Sequence, residues 1–563
     1  NCILNSKAAL FFTHWQKQLD PDDFEAWAKI EERALNVRAR LGSEHRDKAV
    51  LGCAFPVIDT FIIEKLLQRL KELIEEKTLN TASFEQSVVT DFDFTLPELL
   101  AVRREMLFYP KFAPFYRLIE AAIEFKLEIG SFLRDLDNWD DTWDQAVTLY
   151  TEKWYRIDTS YRLFFSALEK ISVDESQEIR HIADVVNHIY STDFLNSLSL
   201  KLGTSVKQVG KWPAGGQQVL LLQKFFYKLK VIPQIKTHGN RTSKLAVIIS
   251  DGFRYELGVN ELLNEENGLS ATVDPMLTML PAYTQMGMAA LLPNDELSWT
   301  GKENDATVLV NGDASAGIKA RGQILEKNAL GRRTACVTAD EILKQTTSQL
   351  RSGLFKDHDV IYIYHDLIDN AGEHNESELL EKCSECLDVL RDLVRKVISA
   401  NINNLYITAD HGFIYKDADL ISGVDSIDAP HVDAILLQKQ RFMLAKAGTF
   451  KSDDFNVVIS SEKAGLKEGF EIVTPLTAVR YRRSGVKSRY VHGGMTLQEC
   501  LIPLIKVNNV RKDTVKDVEV RMLTVPGNIT SSQIVLKFCQ EQPVGKGVRA
   551  VRLRFGFYRH PDD

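Results

Sequence analysis

After residue 235 the chain changes its hydrophobic rhythm, and that change constrains the fold more than any single motif. From Leu245 onward, short runs rich in Val and Ile alternate with longer amphipathic segments. Strands covered on both faces become near-continuous apolar runs, so this alternation predicts a mostly parallel sheet with crossover helices. Residues 245–250, 360–364, 405–408, 456–460 and 489–492 are the expected strands, with 501–507 closing the domain. The polar stretch 508–516 marks the next boundary, and the Gly- and Asn-bearing stretch 235–243 reads as a connector.

Residues 1–235 read as a helical domain. In 61–77, Ile62, Ile63, Leu66, Leu67, Leu70, Leu73 and Ile74 form one apolar stripe, with Glu64, Lys65, Arg69, Lys71 and Glu72 off it. Residues 215–231 read as a second, more apolar helix. Most of the Trp residues fall in this half, which points to a packed core rather than a tail. The acidic cluster Asp135, Asp137, Asp140, Asp141 and Asp144 lacks the glycine turn and terminal Glu of a calcium loop, so it reads as a solvated helix end. Residues 509–563 read as a small C-terminal β domain. There Val551, Leu553 and Phe555 alternate with Arg552 and Arg554, the pattern of a half-buried strand with a basic outer face.

Composition bounds the function. With 563 residues, 44% of them hydrophobic and 26% charged, the chain has material for several packed domains. A net charge of −8 argues against a protein that coats nucleic acid. No apolar run reaches the ~20 residues that cross a bilayer, and no secretory leader is visible, so no membrane contact is expected. The seven scattered cysteines suggest reduced thiols in a cytoplasm. Cys383 and Cys386 sit inside a helical stretch with no second pair, and read as structural. The chain opens on Asn1 rather than Met and stops abruptly, which reads as a fragment.

In an open α/β sheet, ligands gather outside the carboxyl ends of the strands. Here those ends carry chemistry. The first strand runs into Asp251-Gly252-Phe253-Arg254. Asp251 is placed for a cation or for capping the next helix. Thr284 follows Leu280-Pro281-Ala282-Tyr283 at an expected helix start, where a hydroxyl can act as nucleophile or N-cap. Residues 365–374 hold His365, Asp366, Asp369 and His374; Asp369 and His374 are candidates for a second cation, with His365 and Asp366 competing. Asp410-His411-Gly412 ends the strand 405–408 and offers two ligands at once. His492, before Gly493 and Gly494, is a further candidate, and His431 is a rival without the strand-end setting. Together these suit two cations about 4 Å apart, an arrangement used in phosphoryl and phosphodiester transfer.

The order of these motifs resembles the alkaline phosphatase superfamily. The wording is closer still to the PglZ family: Ile248-Ile249-Ser250-Asp251-Gly252-Phe253-Arg254-Tyr255, Leu280-Pro281-Ala282-Tyr283-Thr284, Tyr364-His365, Thr408-Ala409-Asp410-His411-Gly412-Phe413 and Val491-His492-Gly493-Gly494. The resemblance is strongest over residues 240–508, and the flanks look like those of PglZ proteins from type 1 BREX phage-defence systems. It implies an alkaline-phosphatase-like α/β domain over 236–508, between the helical domain and a truncated β domain. It also implies a metal-dependent phosphoesterase, phosphodiesterase or nuclease-like, that works in a cytoplasm with other BREX proteins and with DNA or nucleotides. A non-catalytic scaffold binding the same partners is the alternative. Thr284 would be the nucleophile. Asp251, Asp410 and His411 would hold one of two divalent ions, zinc by family habit, and Asp369, His374 and His492 the other. Arg254 would clamp phosphate. One departure stands out: Asp369 and His374 are five residues apart, where the superfamily spacing is four.

Overall fold

The computed structural model of the chain describes residues 21–41, 55–76, 81–92, 95–106, 108–140, 142–171, 176–215, 220–235, 243–260, 269–416, 425–430, 434–450, 453–482, 489–509, 516–518, 520–522, 536–540 and 548–550. Residues 1–264 and 271–508 form one compact unit, and 265–270 with 509–563 a second.

The first part of the larger unit is helical. Helix α1 (Pro56–Leu73) starts with Pro at its first turn, where the missing N–H costs nothing. Its stripe, Ile62, Ile63, Leu66, Leu67, Leu70 and Leu73, is buried as the period predicts. Helices α2 (Tyr109–Asp137) and α3 (Tyr155–Leu168) pack along one another. Phe132 meets Trp154 edge-to-face at 5.0 Å, and Trp139, Trp143, Trp154 and Trp212 are all buried. The acidic cluster is spent on local structure. Asp135 pairs with Lys153 at 2.7 Å, and Asp140 accepts from the Thr142 backbone. Asp141 lies outside the described residues.

Seven strands form the main sheet: β1 (Leu221–Leu222), β2 (Leu245–Ser250), β3 (Leu269–Leu277), β4 (Thr334–Thr338), β5 (Val360–His365), β6 (Asn404–Thr408) and β7 (Leu501–Asn509). Their order is β1-β3-β7-β6-β2-β5-β4. Strand β2 lies parallel between β5 and β6, with Ser250 opposite His365 and Ile249 opposite Thr408. This register brings three strand ends to one edge. The short helices α4 (Tyr255–Asn260), α5 (Thr284–Ala290) and α6 (Ile368–His374) follow at that edge, and α7 (Leu379–Ser399) covers the sheet with Cys383 and Cys386 buried. The fold is a mostly parallel sheet flanked by helices, with β7 antiparallel to β6.

Three expected elements differ. Residues 456–460 form a strand, but in a separate antiparallel sheet ordered Ile435–Gln438, Met443–Lys446, Phe470–Pro475, Asn456–Ser460, packed around Met443, Val473 and Tyr481. A short apolar run does not encode its partner. Residues 489–492 are reduced to Tyr490–Val491, paired antiparallel with Ile414–Tyr415. The stretch 215–231 is no single helix: Leu221 and Leu222 add an edge strand beside β3, where tertiary pairing overrides helical propensity.

In the smaller unit, Lys516–Asp517 pairs with Val548–Arg549 and Val520–Met522 with Phe538–Gln540. The alternating run 551–557 lies outside the described residues. Cys336, Cys383, Cys386, Cys500 and Cys539 are all unpaired. Among the described residues no helix is long and apolar enough to cross a membrane.

Candidate active site

Asp251 leaves the end of β2, and Gly252 takes φ +71°, a left-handed turn that an L side chain rarely adopts. A Cβ there would also come within 3.0 Å of the Tyr490 hydroxyl oxygen. The turn sends the Gly252 N–H to Asp410 Oδ1 at 3.3 Å, joining the ends of β2 and β6. The Asp410 backbone is held from behind by buried Gln223, which donates to its carbonyl at 2.8 Å. Helix α5 lies directly on it: a Cβ on Gly287 would be 2.1 Å from the Asp410 carbonyl oxygen. Thr284, the first residue of α5, is thereby set 3.0 Å, Oγ1 to Nε2, from His411.

In His411, Nδ1 donates to the Gly412 carbonyl at 2.9 Å, which leaves Nε2 as the nitrogen facing Asp251, Asp410 and Thr284. Asp251 Oδ1 and Asp410 Oδ2 are buried with no hydrogen-bond donor. Unsatisfied carboxylate oxygens in a protein interior are costly, and a cation removes that cost. Asp251, Asp410 and His411 offer ligand atoms all within 4.8 Å of one another. The residues present therefore fit a bound divalent ion.

Two further groups adjoin: Asp369 with His411 and His492, and Asp251 with Asp366 and Asp369. The His411 and His492 rings are stacked, 4.1 Å apart and 4° from parallel. Since His411 has one free nitrogen, it can serve one ion only. A second ion is then left Asp369 and His492, with Asp366 at the exposed rim.

His374 is not brought to this place. It is exposed at the end of α6, with Nδ1 against the Asn370 carbonyl at 3.0 Å. The reason is helical phase: at 3.6 residues per turn, a step of five residues turns about 140° from Asp369, whereas four would return to its face. His365 also stays out. It is buried beneath the edge, its Nδ1 3.0 Å from Ser250 Oγ, and burial pushes its imidazole down to about 4. Arg254 is likewise not at the cleft. Its guanidinium is buried, 2.6 Å from Asp158 of α3 and 5.0 Å over the Phe413 ring. Asp158 also accepts from Tyr150 and Tyr190, so the helical region draws this arginine inward. His431 lies outside the described residues.

One residue at the centre was passed over. Tyr490 is buried and donates its hydroxyl to Asp369 Oδ1 at 2.6 Å. It stands two residues before His492, so strand alternation places both on one face. That period was the available signal.

Burial and crowding set the charges. The Asp251 carboxyl is held well above its ordinary range by burial and then by Asp410, Asp369 and Asp366. Asp410 is raised chiefly by burial. His492 is pushed down to about 3 by burial and by neighbouring His411. Each shift opposes a charge that a divalent cation would favour or a proton that it would displace.

Among curated relatives, the chain is 28% identical over 544 residues to the alkaline phosphatase-like protein PglZ of Bacillus cereus (strain H3081.97), covering 94% of this chain and 59% of that protein. It is 27% identical over 464 residues to the alkaline phosphatase-like protein BrxZ of Escherichia coli O9:H4 (strain HS), covering 81% and 50% respectively. The chain thus spans between half and three-fifths of the length of these relatives. Among solved structures, murine ectonucleotide pyrophosphatase/phosphodiesterase 5 is 13% identical, with a TM-score of 0.30 over 47% of this chain and 88% of that one. Phosphonoacetate hydrolase from Sinorhizobium meliloti 1021 is 12% identical, with a TM-score of 0.32 over 48% and 92%. Residues 226–507, which carry the ends of β2, β5 and β6, match the BREX system PglZ alkaline phosphatase-like domain, and the chain belongs to the PglZ family.

Proposed function

We propose that this chain is a metal-dependent phosphoesterase, a phosphodiesterase or nuclease-like enzyme, acting in BREX anti-phage defence. One observation carries the reading: Thr284 Oγ1 lies 3.0 Å from His411 Nε2, beside the buried, donor-free oxygens of Asp251 and Asp410. A hydroxyl facing acceptors with no acid to protect it is arranged for deprotonation.

Asp251, Asp410 and His411 would hold one divalent ion with Thr284. Asp369 and His492, with Asp366, would hold the other. Bound there, the ions would supply Lewis acidity and lower the pKa of the hydroxyl. Zinc is the proposed metal, and the mixture of carboxylate and imidazole donors accepts it.

Thr284 Oγ1 attacks phosphorus, and the opposite ester oxygen departs as an alcohol, the threonine proton reaching it by way of solvent. Water then attacks the phosphothreonine, one of its protons restoring the hydroxyl as the phosphate is released. The Gly287–Asp410 contact keeps Thr284 over the strand ends throughout. Other BREX proteins are the proposed partners, DNA or nucleotides the proposed substrates, and the cytoplasm the proposed compartment. The family's BREX assignment supports the first of these.

The test is hydrolysis of a chromogenic phosphodiester by the zinc-loaded protein and by Thr284→Ala, alongside metal analysis. Two equivalents of metal and loss of turnover in the variant are expected. Unchanged hydrolysis by Thr284→Ala would remove the nucleophile, and no metal uptake would remove the enzyme reading.

A further inference from the structure

We propose that Lys439 binds a second phosphate of the substrate, which makes that substrate a nucleotide or strand carrying a phosphate beside the one attacked. This rests on the phosphoesterase reading above.

The strand ends are acidic. Asp251, Asp366, Asp369 and Asp410 would together balance the charge of two divalent ions, leaving no positive surplus for another anion. Glu373 adds a further carboxylate at the rim. Arg254, three residues after Asp251, is committed to Asp158 inside the protein. Any additional substrate charge therefore needs a cation from elsewhere.

Lys439 is exposed, on the turn between Ile435–Gln438 and Met443–Lys446. Its backbone N–H closes that turn on the Phe442 carbonyl at 2.9 Å. The turn is pinned to both sides of the site. The Phe442 ring lies 4.9 Å from that of Tyr283, the residue before Thr284. It also fills the space beside Gly493, the residue after His492, where a Cβ would sit 2.5 Å from it. Arg441 is fully buried and pairs with Glu499 at 2.8 Å; Glu499 in turn accepts the Gly494 N–H at 2.8 Å.

A long, solvated cation thus stands on a rigid base beside the cleft. Its charge acts on both His492 and Glu373, which flank Asp369. Among the described residues Lys439 makes no ion pair, and its side chain makes no hydrogen bond. A lysine ammonium is a compact point charge suited to a phosphate whose position varies with the substrate.

The experiment compares thymidine 5′-(p-nitrophenyl phosphate) with the same ester bearing a 3′-phosphate, using the zinc-loaded protein. For Lys439→Ala, the ratio of kcat/KM for the bisphosphorylated over the simple ester should fall roughly three- to tenfold. Lys439→Glu should lower it further. Lys446→Ala removes the same charge from the far end of the hairpin, and an equal fall there would reduce Lys439 to a general field effect. Binding of thymidine 3′,5′-bisphosphate and thymidine 5′-monophosphate, measured by calorimetry, separates the two readings. Turnover with no change of ratio in Lys439→Ala overturns the Lys439 assignment alone. No turnover, with bisphosphate binding selectively weakened in the variant, overturns the phosphoesterase reading and keeps the anion site. Neither turnover nor weakened binding overturns both.

Discussion

The Tyr490 hydroxyl donates to Asp369 Oδ1 at 2.6 Å, deep enough that burial and the nearby carboxylates hold the phenol well above its ordinary pKa. Tyr490 is therefore a donor at any working pH. The same Oδ1 lies 3.8 Å from His492 Nε2, so the tyrosine fixes the carboxylate that faces the imidazole. Its ring occupies the place where a Cβ on Gly372 would lie 2.5 Å away. Tyr490→Phe keeps the ring and removes the donor. We predict roughly tenfold weaker binding of the second equivalent of zinc, read by competition with a chelator. Unchanged affinity would show that Asp369 needs no such support.

The phase of α6 separates His374 from His492. His374→Ala should leave zinc stoichiometry at its original value and affinity within about twofold, since the ring is exposed and faces its own helix. His492→Ala should lose one equivalent, and Asp366→Asn should weaken it. Loss of metal in His374→Ala would mean that the loop rearranges when loaded.

Asp158 and Arg254 tie the helical region to the turn after β2. Both side chains are buried, so removing the acid strands a guanidinium in the interior. Asp158→Ala should destabilise the protein by about 3–5 kcal/mol, seen as a lower denaturation midpoint. A shift below about 1 kcal/mol would show that the surrounding tyrosines suffice.

The site's charges give a pH dependence with a definite sign. The folded-state pKa of Asp251 and Asp410 is raised, so ionising them costs stability as pH rises above the ordinary carboxylate range. A divalent ion removes that cost. His492, at about 3 when folded, works in the other sense: stability is lost as pH falls below its ordinary value near 6.5, because only the unfolded chain takes up the proton. Added zinc should therefore raise Tm more at pH 8 than at pH 5. An equal rise at both values would mean that the metal binds elsewhere.

Legibility in the sequence followed the range of the interactions. Residues 245–250, 360–364 and 405–408 were readable as strands because burial on both faces demands unbroken apolar runs. Asp251 and Asp410-His411 were readable as residues of one sheet edge because parallel strands bring their carboxyl ends together, and their grouping around one ion came from the family resemblance. The placement of 456–460 was not readable, since either sheet satisfies its apolar pattern. Arg254 was misplaced because its partner, Asp158, lies in a different helical segment, and no local pattern joins them.

By itself, then, the sequence determined the central strands 245–250, 360–364 and 405–408 and the residues delivered to the sheet edge, consequences of burial and backbone sterics. The tertiary structure decided which of those residues share a cleft. It turned His374 away by helical phase, drew Arg254 inward to a buried carboxylate, set Tyr490 against Asp369, and carried Lys439 to the rim on a turn anchored by Arg441 and Phe442. Those outcomes depend on contacts between distant segments, whose partners are selected by packing and charge in three dimensions rather than by any period in the chain.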